Sequence, residues 1–246
     1  MARELWRPTV VRLHRVSSTQ DWVRDWAQMG ARDGLILIAR EQTAGRGRMD
    51  RVWQSRPGGL YLSLLLRPAI PLARANQLTM LVSLAAIDAC QRVAGVHAKP
   101  KWPNDLVLGG KKLAGVLTEL AGDGRQLDYA IIGLGLNVNN AFAHGPLADI
   151  ATSLSMATGR SYDVDAVANA FIAALGERYA AFRAGVSPHR AWARELEPLG
   201  RRVRVQQPGR PPLQGRAENV SPAGALLVRD DAGTLHTVWA GDVVIE

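Results

Sequence analysis

The sequence predicts an α+β protein, with a mixed, largely antiparallel sheet carrying helices and a small β-barrel at the C-terminal end. Three observations point there. Apolar runs at Leu106–Leu108, Lys112–Leu120 and Leu127–Asn137 follow one another across the glycine turns Gly109-Gly110 and Gly122-Asp123-Gly124, a pattern that favours antiparallel neighbours. Helical patterns are grouped elsewhere instead of alternating with strands. After Pro198 and Gly200 the composition shifts to short strand candidates separated by turn signals, which divides the chain into 1–197 and 198–246.

Taken in order, Val10–Val16 alternates as a strand, and Ser17-Ser18-Thr19 offers hydroxyl caps to a helix over Gln20–Met29, closed by Gly30 and Gly34. Leu35–Ala39 and Leu60–Leu66 read as buried strands. Pro68 and Pro71 interrupt the pattern, and Leu72–Val93 is apolar nearly all round, as expected of a central helix covered on both sides. Residues 140–160 are small, polar and irregular, and are expected to form a loop over a site. From Val164, the positions Val167, Phe171, Ile172, Leu175, Tyr179 and Phe182 keep helical spacing, and a shorter helix is expected over Pro188–Leu196. The C-terminal strand candidates are Val203–Gln206, Leu213–Glu218, Ala225–Val228, Leu235–Trp239 and Val243–Ile245.

Composition narrows the function classes. The 246 residues are 47% hydrophobic and 21% charged, which suits a globular domain with a sizeable core. No run reaches the roughly 18 uninterrupted apolar residues of a membrane span, and the N-terminal stretch has no apolar segment followed by a cleavage site. The expectation is a cytosolic protein without a membrane partner. Net charge is +8, yet the arginines are scattered and no block of five or six like charges occurs, which argues against nucleic acid as the main partner. Cys90, the single cysteine, sits in an apolar pattern and reads as core.

Two stretches carry chemistry. In Gly45-Arg46-Gly47-Arg48-Met49-Asp50-Arg51, followed by Trp53, glycines let backbone N–H groups approach an anion while three arginines supply charge-assisted donors. Little apolar surface holds residues 43–57 down, so the loop is expected to be mobile until anions arrive. In Lys99-Pro100-Lys101-Trp102-Pro103-Asn104-Asp105 two prolines stiffen the backbone on either side of Lys101. Gly133-x-Gly135 lacks the third glycine and following helix of a dinucleotide fingerprint, and Gly109-Gly110-Lys111-Lys112 lacks the spacing of a phosphate loop. No Cys/His cluster has metal-ligand spacing and no Ser-His-Asp set is evident. Cations without a nucleophile suggest phosphorus chemistry, in which fixed Lys and Arg stabilise charge gathering on non-bridging oxygens.

At these residues the chain resembles the biotin–protein ligases. The resemblance rests on Gly45–Trp53, on Lys101–Asp105 (Lys-Trp-Pro-Asn-Asp), on Lys112–Leu117 (Lys-Leu-Ala-Gly-Val-Leu) and on Gly133–Asn137 (Gly-Leu-Gly-Leu-Asn). It implies a class II synthetase-like catalytic domain with an SH3-like C-terminal domain. It also implies that biotin and ATP, with Mg2+, form biotinyl-5′-AMP, from which biotin passes to a lysine of a biotin carboxyl carrier protein. Under the resemblance Lys112 and Arg48 act in catalysis. Ser18, Thr19, Gln20, Gln42, Gly45, Arg46, Gly47, Arg48, Arg51, Trp53, Lys101, Asn104, Lys112, Gly115 and Asn137 bind biotin or its adenylate. Two departures stand out. Gln20 replaces an Asn, and Asp50 replaces a Gly, where its carboxylate either weakens anion binding or pairs with Arg48 or Arg51. About 17 residues precede Ser18, too few for the winged helix–turn–helix of family repressors, so sequence-specific DNA binding is not expected. The alternatives are a lipoate–protein ligase and, from a different class, a non-enzymatic RNA-binding module.

Overall fold

The computed structural model describes residues 6–142 and 144–246. A seven-stranded sheet forms the body. Its strands are β1 (Thr9–Val16), β2 (Leu35–Gln42), β3 (Leu60–Leu66), β4 (Lys99–Lys101), β5 (Asp105–Leu108), β6 (Lys111–Gly122) and β7 (Leu127–Leu136). They lie in the order β1-β2-β3-β7-β6-β5-β4. Five of the six pairings are antiparallel; β1 and β2 are parallel. That exception has a local cause, because α1 (Thr19–Gln28) carries the chain back along the sheet between them. β3 is buried at all seven positions, as an apolar strand covered on both faces must be.

One face is covered by α2 (Asn76–Ala94), which packs in turn against α4 (Val164–Arg183) and α5 (His189–Glu195). The central helix therefore begins at Asn76 and not at Leu72. Leu72 N–H is held by Arg125 O at 2.9 Å, and Arg74 and Ala75 bond back three residues to Pro71 and Leu72, so Leu72–Arg74 tightens into a 3-10 turn. α2 ends at Gly95, whose φ of 69° is the left-handed conformation that lets the chain turn away. On the opposite face α1 buries Val23 and Ala27 against Leu37, Leu65 and Ile131. The remainder of that face is where the cavity described below opens.

Within 140–160 the chain is less irregular than its composition suggests. α3 (Leu154–Thr158) is capped by Ser153 Oγ, which accepts from Met156 N–H at 3.2 Å, and Ala151 bridges Lys112. The last five strands, β8 (Arg202–Gln206), β9 (Leu213–Val220), β10 (Leu226–Arg229), β11 (Leu235–Val238) and β12 (Asp242–Ile245), form an antiparallel sheet ordered β11-β10-β9-β8-β12. Val203, Val205, Ala217, Val220, Leu226, Val228, Val238 and Val243 make its buried side. Trp102 Nε1 donates to Gly224 O at 2.9 Å and Gln77 Nε2 to Pro222 O at 3.1 Å, so the turn before β10 docks on the larger body. Among the described residues no helix is long and apolar enough to cross a membrane.

Candidate active site

A cavity of about 510 Å³ opens over the β3, β7, β6 and β5 strands, between the start of α1, the arginine loop and β12. Of the fifteen residues singled out from the sequence, all but Gly45 line it. Gly45 serves the loop instead: a Cβ there would lie 2.4 Å from Trp53 O and 2.6 Å from Ser55 Oγ.

The polar end is built at the β1–α1 junction. Ser18 has the extended backbone of a helix N-cap, but its hydroxyl makes no capping bond and is buried without a partner. The expected cap is therefore absent, and an unpaired hydroxyl faces the cavity. Thr19 N–H and Oγ1 lie 2.8 and 3.0 Å from Gln42 Oε1, and Gln42 Nε2 donates to Ser55 Oγ at 2.7 Å. Gln20, one methylene longer than the family Asn, spends its amide inside the protein, donating to Ile131 O at 3.1 Å and accepting from Ser63 Oγ at 3.0 Å.

The arginine loop folds back on itself. Gly47 N–H donates to Arg51 O, Trp53 N–H to Gly45 O, and Arg46 bridges Val52, with Met49 and Asp50 at φ of 55° and 58° at the tip. Two successive left-handed residues make a tight hairpin turn, and the second is where the family pattern has glycine. Asp50 is exposed and forms no ion pair among the described residues, so it does not pair with Arg48 or Arg51. Those arginines have other partners. Arg46 contacts Asp21 at 2.8 Å and Glu119 at 2.9 Å, Arg48 donates to Asn104 Oδ1 at 3.0 Å, and Arg51 pairs with Asp242 of β12. In this arrangement the loop's charge is partly balanced: carboxylates from α1 and β6 face Arg46, and one from β12 faces Arg51. Burial lowers the pKa of the Arg48 guanidinium from its ordinary value, and the hydrogen bond from Arg51 holds the Asp242 carboxyl below the usual carboxylate range.

Trp53 lies across the strands. Its indole fits because β6 and β7 carry glycine beneath it: a Cβ at Gly135 would meet the ring at 2.4 Å and one at Gly115 at 3.0 Å. Its Nε1 is a second buried polar atom without a partner. Lys112 Nζ sits 5.3 Å from the Trp53 ring centroid and 2.8 Å from Asp105 Oδ1. Asn104 Nδ2 donates to Val116 O at 2.6 Å, which fixes the amide that orients Arg48. Asn137 donates to Thr152 O at 2.9 Å and so ties the 150–154 segment to β7. Lys101, at the end of β4, also lines the cavity.

The family descriptions agree with this geometry. The Biotin/lipoate A/B protein ligase family matches residues 13–137, and the Biotin protein ligase C terminal domain matches residues 199–245. The chain belongs to the biotin protein ligase family. It is 36% identical over 233 residues to the bifunctional ligase/repressor BirA of Bacillus spizizenii, covering 93% of this chain and 71% of that protein. It is 34% identical over 250 residues to the biotin–[acetyl-CoA-carboxylase] ligase of Mycobacterium tuberculosis, covering 97% and 89%. Among solved structures it superposes on the biotin protein ligase of Aquifex aeolicus in complex with biotin and ATP with a TM-score of 0.82, at 29% identity, over 97% of this chain and 98% of that one.

Sequence reasoning missed several residues of this biotin protein ligase family site. Ser63 was legible as the only polar residue in Leu60–Leu66, and Gly133 and Gly135 as glycines inside a strand. Asp105 closes the Lys-Trp-Pro-Asn-Asp motif, but the motif alone gives it no role. Phe142, Leu147 and Ile150 lie in the 140–160 stretch expected over the site, though nothing marked them individually as its apolar wall; Asp242 left no signal, because only the folded chain brings it to the cavity.

Proposed function

We propose that the chain is a biotin–protein ligase that activates biotin with ATP and transfers it to a lysine of a biotin carboxyl carrier domain. One observation carries this: a single cavity holds a polar end at Ser18, Thr19 and Gln42, where the Ser18 hydroxyl has no partner, and, with it, the cations Arg48, Lys101 and Lys112. A ligand with a polar cyclic head, an apolar middle and a carboxylate suits those groups, with Trp53 and the strand glycines as the floor. The ligands named for the Aquifex aeolicus structure support the same choice.

In the first step a carboxylate oxygen attacks the α-phosphorus, the bond to the β-phosphate oxygen breaks, and pyrophosphate leaves. Arg48 and Lys112 would stabilise the charge on the non-bridging oxygens, with Asn104 orienting Arg48 and Asp105 holding Lys112 in place. In the second step the neutral ε-amine of the acceptor lysine attacks the acyl carbon, AMP departs, and the ammonium proton is lost to solvent. The arginine loop and Trp53 would screen the mixed anhydride from water. Mg2+ would arrive on the phosphates of ATP as part of that substrate, held mainly by phosphate oxygens and water.

The acceptor named for the Mycobacterium tuberculosis relative is acetyl-CoA carboxylase, and we extend that class of partner to this chain. With ATP and a carrier domain as substrates, the reading includes a cytosolic location, and we treat 198–246 as a separate domain behind the loop. Incubation with labelled ATP and either biotin or lipoate tests it. Pyrophosphate release with biotin alone is expected; release with lipoate only, or with neither, would overturn it.

A further inference from the structure

We infer that Gln20 and Ser63 are positioning residues that fix the direction of the hydroxyl hydrogens at the polar end of the cavity, so that Thr19 Oγ1 and Gln42 Oε1 both meet the ligand as acceptors and select a head group bearing two N–H donors. The inference rests on the biotin reading given above.

The direction follows from groups whose polarity cannot change. Backbone carbonyls only accept, and those of Ile131 and Leu117 lie 3.1 and 3.5 Å from the Gln20 amide nitrogen, so the amide can be oriented only one way. Its oxygen then faces Ser63 Oγ at 3.0 Å and takes that hydroxyl's one hydrogen. Ser63 Oγ is also 2.8 Å from Thr19 Oγ1, and with its own hydrogen committed it must accept there. Thr19 consequently has no hydrogen left for Gln42 Oε1, although the two oxygens are 3.0 Å apart. Gln42 cannot relieve this by turning over, because its oxygen already receives Thr19 N–H at 2.8 Å while its nitrogen donates to Ser55 Oγ at 2.7 Å. Two partly buried acceptor oxygens thus sit side by side with no hydrogen between them, an arrangement that N–H groups of a ligand satisfy. Gly133 makes room for the longer side chain, since a Cβ there would lie 2.7 Å from Gln20 Oε1.

Ser63→Ala removes the acceptor for the Thr19 hydrogen, which can then rotate to Gln42 Oε1. Calorimetric dissociation constants are measured for biotin and for its two lactam analogues, each with one ureido N–H replaced by CH2. Wild type is expected to bind each analogue at least roughly ten-fold more weakly than biotin, the effect of leaving a buried acceptor unpaired. In Ser63→Ala biotin should weaken by a similar factor while the analogues weaken less, so the ratio of the two constants falls toward one. Gln20→Met, close in length, keeps the Ser63 hydroxyl but frees its hydrogen; it should lower the ratio in the same direction, and it carries the test if Ser63→Ala does not fold. A merely structural role would weaken all three ligands alike, and variants that keep the wild-type ratio overturn the inference while leaving the biotin reading intact. A wild-type protein that binds no biotin overturns both.

Discussion

Replacing Lys112 with Gln separates the contacts this side chain makes in the free protein from the catalytic role proposed for it. In the free protein its ammonium is 2.8 Å from Asp105 Oδ1 and 5.3 Å from the Trp53 ring centroid, with 38% of the side chain exposed. A pair that open to solvent contributes about 0–1 kcal/mol, and an exposed cation–π contact about 0.5–1 kcal/mol. Lys112→Gln should therefore lower stability by no more than about 1–2 kcal/mol, read from urea unfolding. In the proposed adenylation transition state the same charge would face phosphate oxygens in a site from which ligand and loop exclude water. Loss of one such donor costs about 2.7–4 kcal/mol, or roughly 10²–10³ in rate. Biotin affinity should fall far less, since the ground-state carboxylate carries one charge and keeps Arg48. The assay is single-turnover formation of biotinyl-AMP, paired with biotin titration of the same variant. Adenylation within twofold of wild type would refute the argument, as would a biotin affinity that falls as steeply as the rate.

Other outcomes follow from the loop, the glycine floor and the core. Asp50→Asn should tighten ATP binding a few-fold by removing a carboxylate beside the anion site, while Asp50→Ala, which must hold a φ near 58°, should instead speed trypsin cleavage after Arg48; equal behaviour of the two variants in both assays would count against this account of the tip. Asp242→Ala frees Arg51, and since that pair is exposed, tryptic cleavage of the loop should rise only a few-fold and be suppressed by biotin with MgATP; cleavage unaffected by the substitution would show that β12 does not hold the loop. Gly135→Ala pushes a methyl into the Trp53 indole and should destabilise by about 1–3 kcal/mol with a changed tryptophan emission spectrum; a wild-type spectrum and stability would contradict the packing. Cys90 is buried and its thiol is pushed up to about 12, so a thiol reagent at pH 8 should label it only as the protein unfolds globally; fast labelling in the native state would contradict its burial.

Much of the fold was legible because its signals are local. The helical spacing from Val167 to Phe182 reappears in α4 as one buried face, the glycine turns separate β5, β6 and β7, and the five C-terminal strand candidates all form. Hydrophobic period and turn chemistry act over a few residues, so they can be read without knowing what lies opposite. The four motifs were legible for the same reason, as short runs of unusual residue types. What tertiary structure alone decided are relations between distant positions. Whether the Ser18 hydroxyl caps a helix or faces a cavity depends on where α1 sits on the sheet, and the parallel pairing of β1 with β2 depends on the path α1 takes between them. Arg51 meets Asp242 across 191 residues of sequence, and Ser63 becomes part of the polar end only because β3 lies beneath Thr19 and Gln20. Hydrogen bonds and ion pairs are settled by proximity within a few ångströms, and a separation of that kind along the chain leaves no pattern in either partner's neighbours.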